Sequence, residues 1–319
     1  MTCKNTLQAR FVSGRLTSIW LFIASLLVWG LGVLLDAFMG TELTFKGYFV
    51  PLSVSLLCYI VAAVILDTSY LFERRVRWLS AMFMWLVAVS FYIHGTAMEA
   101  VAVLLLAVIV YKLFACKQGE DGCYGLFSVF SIVGCTSLVF PQVLLLLPVF
   151  ALYGLSVIMS GIRGVLAALI GFFMPHLVVS GFNYLFPGVM PDILLGNELE
   201  YLASFSIGMP TLLQMVLFVL QLVMLILFTA IFMNSTIPGK RYLRRRLVFL
   251  IYLNISLLLM SLFYNADFSL FYMMSLPSVA VMMGYVFTLK VTKPMNWLFI
   301  ILNFLWISLF PFALCLRLL

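Results

Sequence analysis

"MPTLLQMVLFVLQLVMLILFTAIFMNSTIPGKRYLRRRLVFLIYLNISLLLMSLFY", residues 209–264, joins two apolar runs through a short segment that carries Lys240, Arg241, Arg244, Arg245 and Arg246. A run of about 20 apolar residues is long enough to cross the hydrocarbon core of a bilayer. Connections rich in lysine and arginine stay on the cytoplasmic side. The segment therefore reads as two crossings, 209–233 and 247–264, joined by a cytoplasmic loop. The rest of the chain repeats that pattern.

The 319 residues are 65% hydrophobic and 9% charged, with a mean hydropathy of +1.21. Soluble domains carry about 25% charged residues, so a water-soluble fold of this size is excluded. The apolar runs are continuous and lack the period-2 alternation of a barrel, which leaves an all-α, polytopic transmembrane bundle. Candidate crossings fall at 16–35, 47–66, 78–93, 97–115, 124–140, 142–160, 164–186, 209–233, 247–264, 268–288 and 296–316, about eleven in all, within one integral membrane domain, 1–319.

With eleven crossings, sixteen of the eighteen cationic residues fall on one side. They are Lys4, Arg10 and Arg15 in the tail, then Arg74, Arg75, Arg77, Lys112, Lys117 and Arg163, the five of the eighth loop, and Lys290 and Lys293. Only Lys46 and Arg317 fall opposite. Merging the fifth and sixth runs into one crossing would swap the downstream loops and leave the split even. The expected orientation is N-terminus cytoplasmic and C-terminus exoplasmic. A re-entrant hairpin at 78–115, 124–160 or 247–288 would preserve the same parity.

This distribution gives the net charge of +7 a topological meaning, with contact to anionic lipid headgroups and no role in nucleic-acid binding. The first apolar run is too long for the core of a signal peptide, so it reads as a retained helix. The six cysteines lack CxxC spacing and read as packing residues, with neither a disulfide frame nor a metal site. No P-loop, dinucleotide-binding glycine pattern, GxSxG or HExxH occurs, and no cofactor is expected. The longest exoplasmic loop, 187–208, has leucines spaced for a short surface helix.

The exoplasmic side holds seven acids, Asp36, Glu42, Glu99, Asp192, Glu198, Glu200 and Asp267. Grouped acids serve as general bases or cation ligands, and equally keep a loop hydrated. In "SFYIHGTAMEAV", residues 90–101, Thr96 and Glu99 have capping-box spacing, a structural reason for Glu99. His94, beside them, has no such structural reason. His176 follows Pro175 deep within the seventh crossing, and Asn183 lies two turns further along the same face. An ionisable group at that depth marks function or a single interhelical hydrogen bond. Gly164, Ala168 and Gly171 share a face of the same run and read as a close-packing surface.

Two stretches carry a resemblance: "LSAMFMWLVAVSFYIHGTAMEAVAVLLLAVIVYKLF" at 79–114 and "GLFSVFSIVGCTSLVFPQVLLLLPVFALYGLSVIMSGIRGVLAALIGFFMPHLVVSGFNYLF" at 125–186. Their order of apolar hairpin, "FP" turn, basic loop and "MPH" helix resembles an uncharacterised multi-pass inner-membrane family of Bacteroidota. More distantly, the layout is similar to the C-type superfamily of lipid-dependent glycosyltransferases. That likeness implies an acid after the first helix, here Asp36, and a flexible substrate loop, here 187–208 with Asp192. It also implies cations that hold a polyprenyl phosphate, for which Lys46, Arg317 and a protonated His94 are the exoplasmic choices.

Three functions follow. An enzyme acting on a lipid-linked envelope substrate would use Asp36 as base with Glu99 or His94 assisting, and Lys46, His176, Asn183 and Asp192 as substrate contacts. A transporter or flippase would use His176 in a midplane cavity. A scaffold would bind other envelope-complex subunits and carry out no chemistry. The expected partners are membrane lipid and a polyprenyl-linked substrate, in the inner membrane.

Overall fold

The computed structural model describes residues 6–14, 16–39, 48–49, 52–53, 55–57, 59–60, 79–90, 97–116, 121–158, 161–186, 211–233, 241–289 and 292–318. Among these residues the protein is all-helical. The α-helices are α1 (Leu7–Ser13), α2 (Thr17–Phe38), α3 (Leu79–Val89), α4 (Ala97–Ala115), α5 (Gly122–Ser137), α6 (Leu147–Tyr153), α7 (Ile162–Leu185), α8 (Leu212–Met233), α9 (Arg241–Phe263), α10 (Phe268–Leu289) and α11 (Lys293–Leu318). A 3₁₀ segment, Pro141–Leu146, leads into α6, and a π-helical turn, Gly154–Ile158, follows it. Eight helical spans among the described residues are long and apolar enough to cross a membrane. The protein is a multi-pass membrane protein. α3 and α5 are shorter apolar helices; the 16 residues of α5 rise only about 24 Å.

The chain divides into two compact units, each assembled from separate stretches. The first comprises Met1–Leu104, Met209–Arg244 and Asp267–Leu319, and the second Leu105–Gly208 and Arg245–Ala266.

In the first unit α10 is the central helix, packed against α3 and α8 and shielded along nearly its whole length. Phe271, Leu276, Ala280, Met283 and Phe287 are fully buried there. α2 lies along α3 and shows the inversion expected in lipid. Its buried residues, Ser25, Trp29, Gly32 and Asp36, recur every three to four positions on one face. Its exposed residues are large and apolar, including Trp20, Leu27 and Leu34. α1 closes one end of the unit. The Gln8 amide N–H donates to Asn296 Oδ1 at 2.9 Å and its side-chain amide donates to the Phe287 carbonyl at 2.8 Å. The start of α2, the end of α10 and the start of α11 therefore share that end.

In the second unit α5 and α7 make the most extensive helix pair. The buried face of α7 is Gly164, Ala168, Gly171, Phe172, Pro175 and His176, the small-residue surface expected from the sequence. A Cβ at Gly171 would lie 2.5 Å from the Phe127 carbonyl oxygen, and one at Gly134 would meet the Phe172 carbonyl and the Pro175 ring. The two backbones touch because neither position carries a side chain. At the opposite edge of the hairpin, Gly154 in the π turn packs on Leu126 of α5, and Gly125 packs on Cys116 just past α4. The end of α4, the start of α5 and the π turn thus share one end of this unit.

Candidate functional site

Glu99 lies in the first turn of α4 and is 7% exposed. Its Oε1 accepts from the Ser269 hydroxyl, in the first turn of α10, at 2.7 Å. Two helix N-termini thus meet at one carboxylate, and both dipoles favour its negative charge. The capping partner expected from the sequence, Thr96, lies outside the described residues. What sequence reasoning missed is Ser269, a partner 170 positions away.

Below this pair the polar groups continue down α10. The Tyr272 and Ser90 hydroxyls are 3.0 Å apart, both essentially buried, joining α10 to the end of α3. Phe268 stacks on the Tyr272 ring at 6.1 Å. One turn further, the Gln221 amide of α8 donates to the Ser275 hydroxyl, which in turn donates to the Tyr272 carbonyl. The Ser278 hydroxyl donates to the Ser275 carbonyl at 2.8 Å. These back-bonds flank Pro277, whose missing N–H interrupts the helical ladder. Polar residues at 269, 272, 275 and 278, every third position inside an apolar run, are the sequence signal that would have revealed this column.

Asp36 is 2% exposed near the C-terminal end of α2, and its Oδ2 accepts from the Tyr48 hydroxyl at 2.8 Å. That end of a helix carries the dipole's partial negative charge, so a carboxylate there is unfavourable on structural grounds. Burial adds a desolvation cost. Asp36 and Glu99 both belong to the first unit.

His176 belongs to the second unit and is 3% exposed at the crossing of α5 and α7. Its Nδ1 lies 3.1 Å from the Phe172 carbonyl, its Nε2 lies 3.4 Å from the Ser137 hydroxyl, and its ring packs on Phe172 at 5.0 Å. A carbonyl only accepts, so the first contact requires the proton on Nδ1. The Ser137 hydroxyl also contacts the Gly134 carbonyl at 2.9 Å. The one Ser137 proton is thus shared between the Gly134 carbonyl and His176 Nε2, a contact that links α5 to α7. Asn183 is half-buried further along α7. His94, Lys46, Asp192 and the expected surface helix at 187–208 lie outside the described residues.

Among the described residues no group of three His, Cys, Asp or Glu side chains is placed to hold a metal ion. Cys116 and Cys123 are half-buried, whereas Cys135 and Cys315 are exposed on their helices and not packed inside. Partial burial pushes the Cys116 thiol above its ordinary range, with Lys112 opposing, so it stays protonated near neutrality.

No protein-family model matches this chain, and neither the curated proteins nor the solved structures include a match. Functional assignment therefore rests on the residues themselves.

Proposed function

We propose that this chain is an inner-membrane protein of the cell envelope with about eleven crossings, N-terminus cytoplasmic and C-terminus exoplasmic. Two observations support the topology. In the first unit, α1 meets the end of α10 and the start of α11, near Lys293 of the basic tenth loop. In the second, the ends bordering the fourth, sixth and eighth loops come together, as shared basic loops require. Glu99 and Ser269 then belong to the opposite, exoplasmic side. Asp36, about 28 Å along α2 from its start, reaches the same side.

The activity we assign is a glycosyltransferase-like reaction on a lipid-linked substrate at the exoplasmic face. The observation that carries it is that Asp36 and Glu99 are both buried carboxylates of the first unit, each held by a hydroxyl. Buried carboxylates in a membrane protein are costly, and Asp36 sits where the helix dipole opposes it, so stability does not account for its presence. As general base, Asp36 takes the proton from an acceptor hydroxyl while that oxygen attacks the anomeric carbon. The new glycosidic C–O bond forms as the bond to the polyprenyl phosphate breaks, and the phosphate leaves with the electron pair. Glu99, aimed by Ser269, or His94 assists, and Lys46 and Asp192 contact the substrate. Replacing Asp36 by asparagine tests this reading: envelope glycan is lost at unchanged protein level. Normal glycan in that variant rules the reading out.

A second reading, transport, is favoured by the column on α10. The hydroxyls of Ser269, Tyr272, Ser275 and Ser278, with Gln221, line the interior of the most shielded helix from its end toward its middle. A flux assay in vesicles separates the two. Loss of substrate passage in Gln221→Leu, with glycan linkage chemistry intact, selects transport.

A further inference from the structure

The helix α1 is seven residues long. Isolated helices shorter than about 12–15 residues are marginal in water, so α1 is helical only while something holds it. Its own caps supply part of the support. The Ala9 amide donates to the Thr6 hydroxyl at 3.3 Å, and the Thr17 hydroxyl donates to the Phe11 carbonyl at 2.8 Å. The rest comes from its dock in the first unit. The Gln8 side-chain amide donates to the Phe287 carbonyl in the last turn of α10, and the Gln8 backbone N–H donates to Asn296 Oδ1 in the first turn of α11. The Phe11 ring meets Phe299 at 5.0 Å, and Phe299 meets Phe287 edge-on at 4.9 Å.

Capping explains the Gln8 side chain in part, because the last four carbonyls of α10 lack intrahelical partners. It does not explain why the cap arrives from 279 positions away, on a separate helix that also grips α11. Nor does it explain the chemistry of the grip. Among the residues of α1 only Gln8 is buried, and Leu7 beside it is 61% exposed. Phe11 and Val12 are half-buried. A buried leucine would lose its burial outright on release. A glutamine exchanges its protein hydrogen bonds for bonds to water, so this dock holds a defined pose and still lets go. Release also needs a hinge. Gly14 follows α1 directly, is exposed, and adopts an extended conformation before α2 begins at Thr17. A Cβ there would meet the Arg10 carbonyl at 2.8 Å and the Thr17 hydroxyl, so the turn is tight enough to require glycine.

We infer that α1 is a latch that docks and undocks as a unit over the end of α10 and the start of α11. Docked, Gln8 ties Phe287 to Asn296 and so fixes the two helix ends against each other. Undocked, α1 loses its helix and the last turn of α10 loses its cap. The latch stands on this geometry alone and uses neither the activity nor the sidedness proposed above.

Hydrogen–deuterium exchange of the full chain in lipid nanodiscs reads the latch, since local opening exposes amides in cooperative units. In wild type, α1 and the last turn of α10, Val286–Leu289, should exchange more slowly than a free peptide of the same sequence and faster than Val279–Met283 in the middle of α10. Gln8→Ala installs the best helix former and removes the side-chain donor, so faster exchange there reports lost docking. Asn296→Ala removes the acceptor on α11 and leaves α1 itself unaltered. Each variant should speed exchange in α1 and in Val286–Leu289 together by about fivefold, the net worth of one hydrogen bond. Ser13→Ala, on the exposed side of the same helix, should leave both segments at wild-type rates. Wild-type exchange in α1 as slow as in Val279–Met283 makes it a fixed part of the bundle and overturns the latch. Exchange at the free-peptide rate overturns the dock. An unchanged α1 in Asn296→Ala, or a loss of protection that spreads to Val279–Met283 in either variant, also contradicts the inference.

Discussion

Replacing Gly171 by alanine asks whether α5 and α7 are held by direct backbone contact. The added Cβ would lie 2.5 Å from the Phe127 carbonyl oxygen and 3.1 Å from the carbonyl carbon and Cα of the same residue. Unstrained contacts between such atoms lie at about 3.5–4 Å. Every atom it meets is backbone, so no rotamer change relieves the clash and the helices must part by roughly 1 Å. Overpacking of this kind costs about 1–3 kcal/mol. Alanine recovers about 0.5–1 kcal/mol over glycine within a helix. The expected net loss is about 0–2.5 kcal/mol. The same helix supplies the control, because nothing lies within 4 Å of a Cβ placed at Gly181. Gly181→Ala should be neutral or stabilising by about 0.5–1 kcal/mol. Heating the detergent-solubilised protein and measuring the surviving monodisperse fraction ranks the variants. A Gly171→Ala protein that melts with or above Gly181→Ala refutes the close-contact account. Because His176 and Ser137 meet at this crossing, their contact should loosen in the same variant, seen as a shift of the His176 ring resonances.

Ser269→Ala removes one donor to Glu99 and should cost about 1 kcal/mol in the same melt. Glu99→Gln keeps an acceptor for Ser269 and should cost less stability, while lowering glycan transfer if the carboxylate's charge assists the reaction. Gln221→Leu replaces an interhelical hydrogen bond within the membrane and should cost under about 1 kcal/mol; a loss of several kcal/mol would make the α10 column a structural necessity. Arg246→Gln takes the cation from the α4 C-terminus, for about 0.3–1 kcal/mol, and should speed amide exchange at Leu113 through Cys116 before any other part of α4.

The apolar runs located the helices well where composition changes abruptly. The expected 97–115, 268–288 and 164–186 match α4, α10 and α7 within two residues. α9 departs most, starting at Arg241 and not near 247. Hydropathy stops at the first charge, but arginine is a good helix former and the helix continues into the headgroup region. The "FP" turn at Phe140–Pro141 ends one arm of a hairpin as expected, whereas the 3₁₀ and π segments around α6 carry no apolar signature and were not legible. Of the candidate site, the depth of His176 within an apolar run was legible, whereas Asp36 and Glu99 read as exoplasmic loop acids and instead lie buried on α2 and α4. Their partners were not legible. Tyr48 is local, but Ser269 reaches Glu99 and Tyr272 reaches Ser90 only because α10 packs against α3 with its first turn beside the start of α4, which is tertiary information. Arg246 read as one of many topological cations, and only the fold turns it inward onto Phe114.

The central claim is the proposed topology, with the segment at Arg163 on the cytoplasmic side and the turn at Ala266 on the exoplasmic side. Accessibility of single cysteines placed at Arg163 and Ala266, in a chain otherwise free of cysteine, measures this directly. A membrane-impermeant thiol reagent added to intact cells should label the Ala266 site and spare the Arg163 site until the membrane is opened. Labelling of both sites in intact cells, or protection of both, contradicts the account.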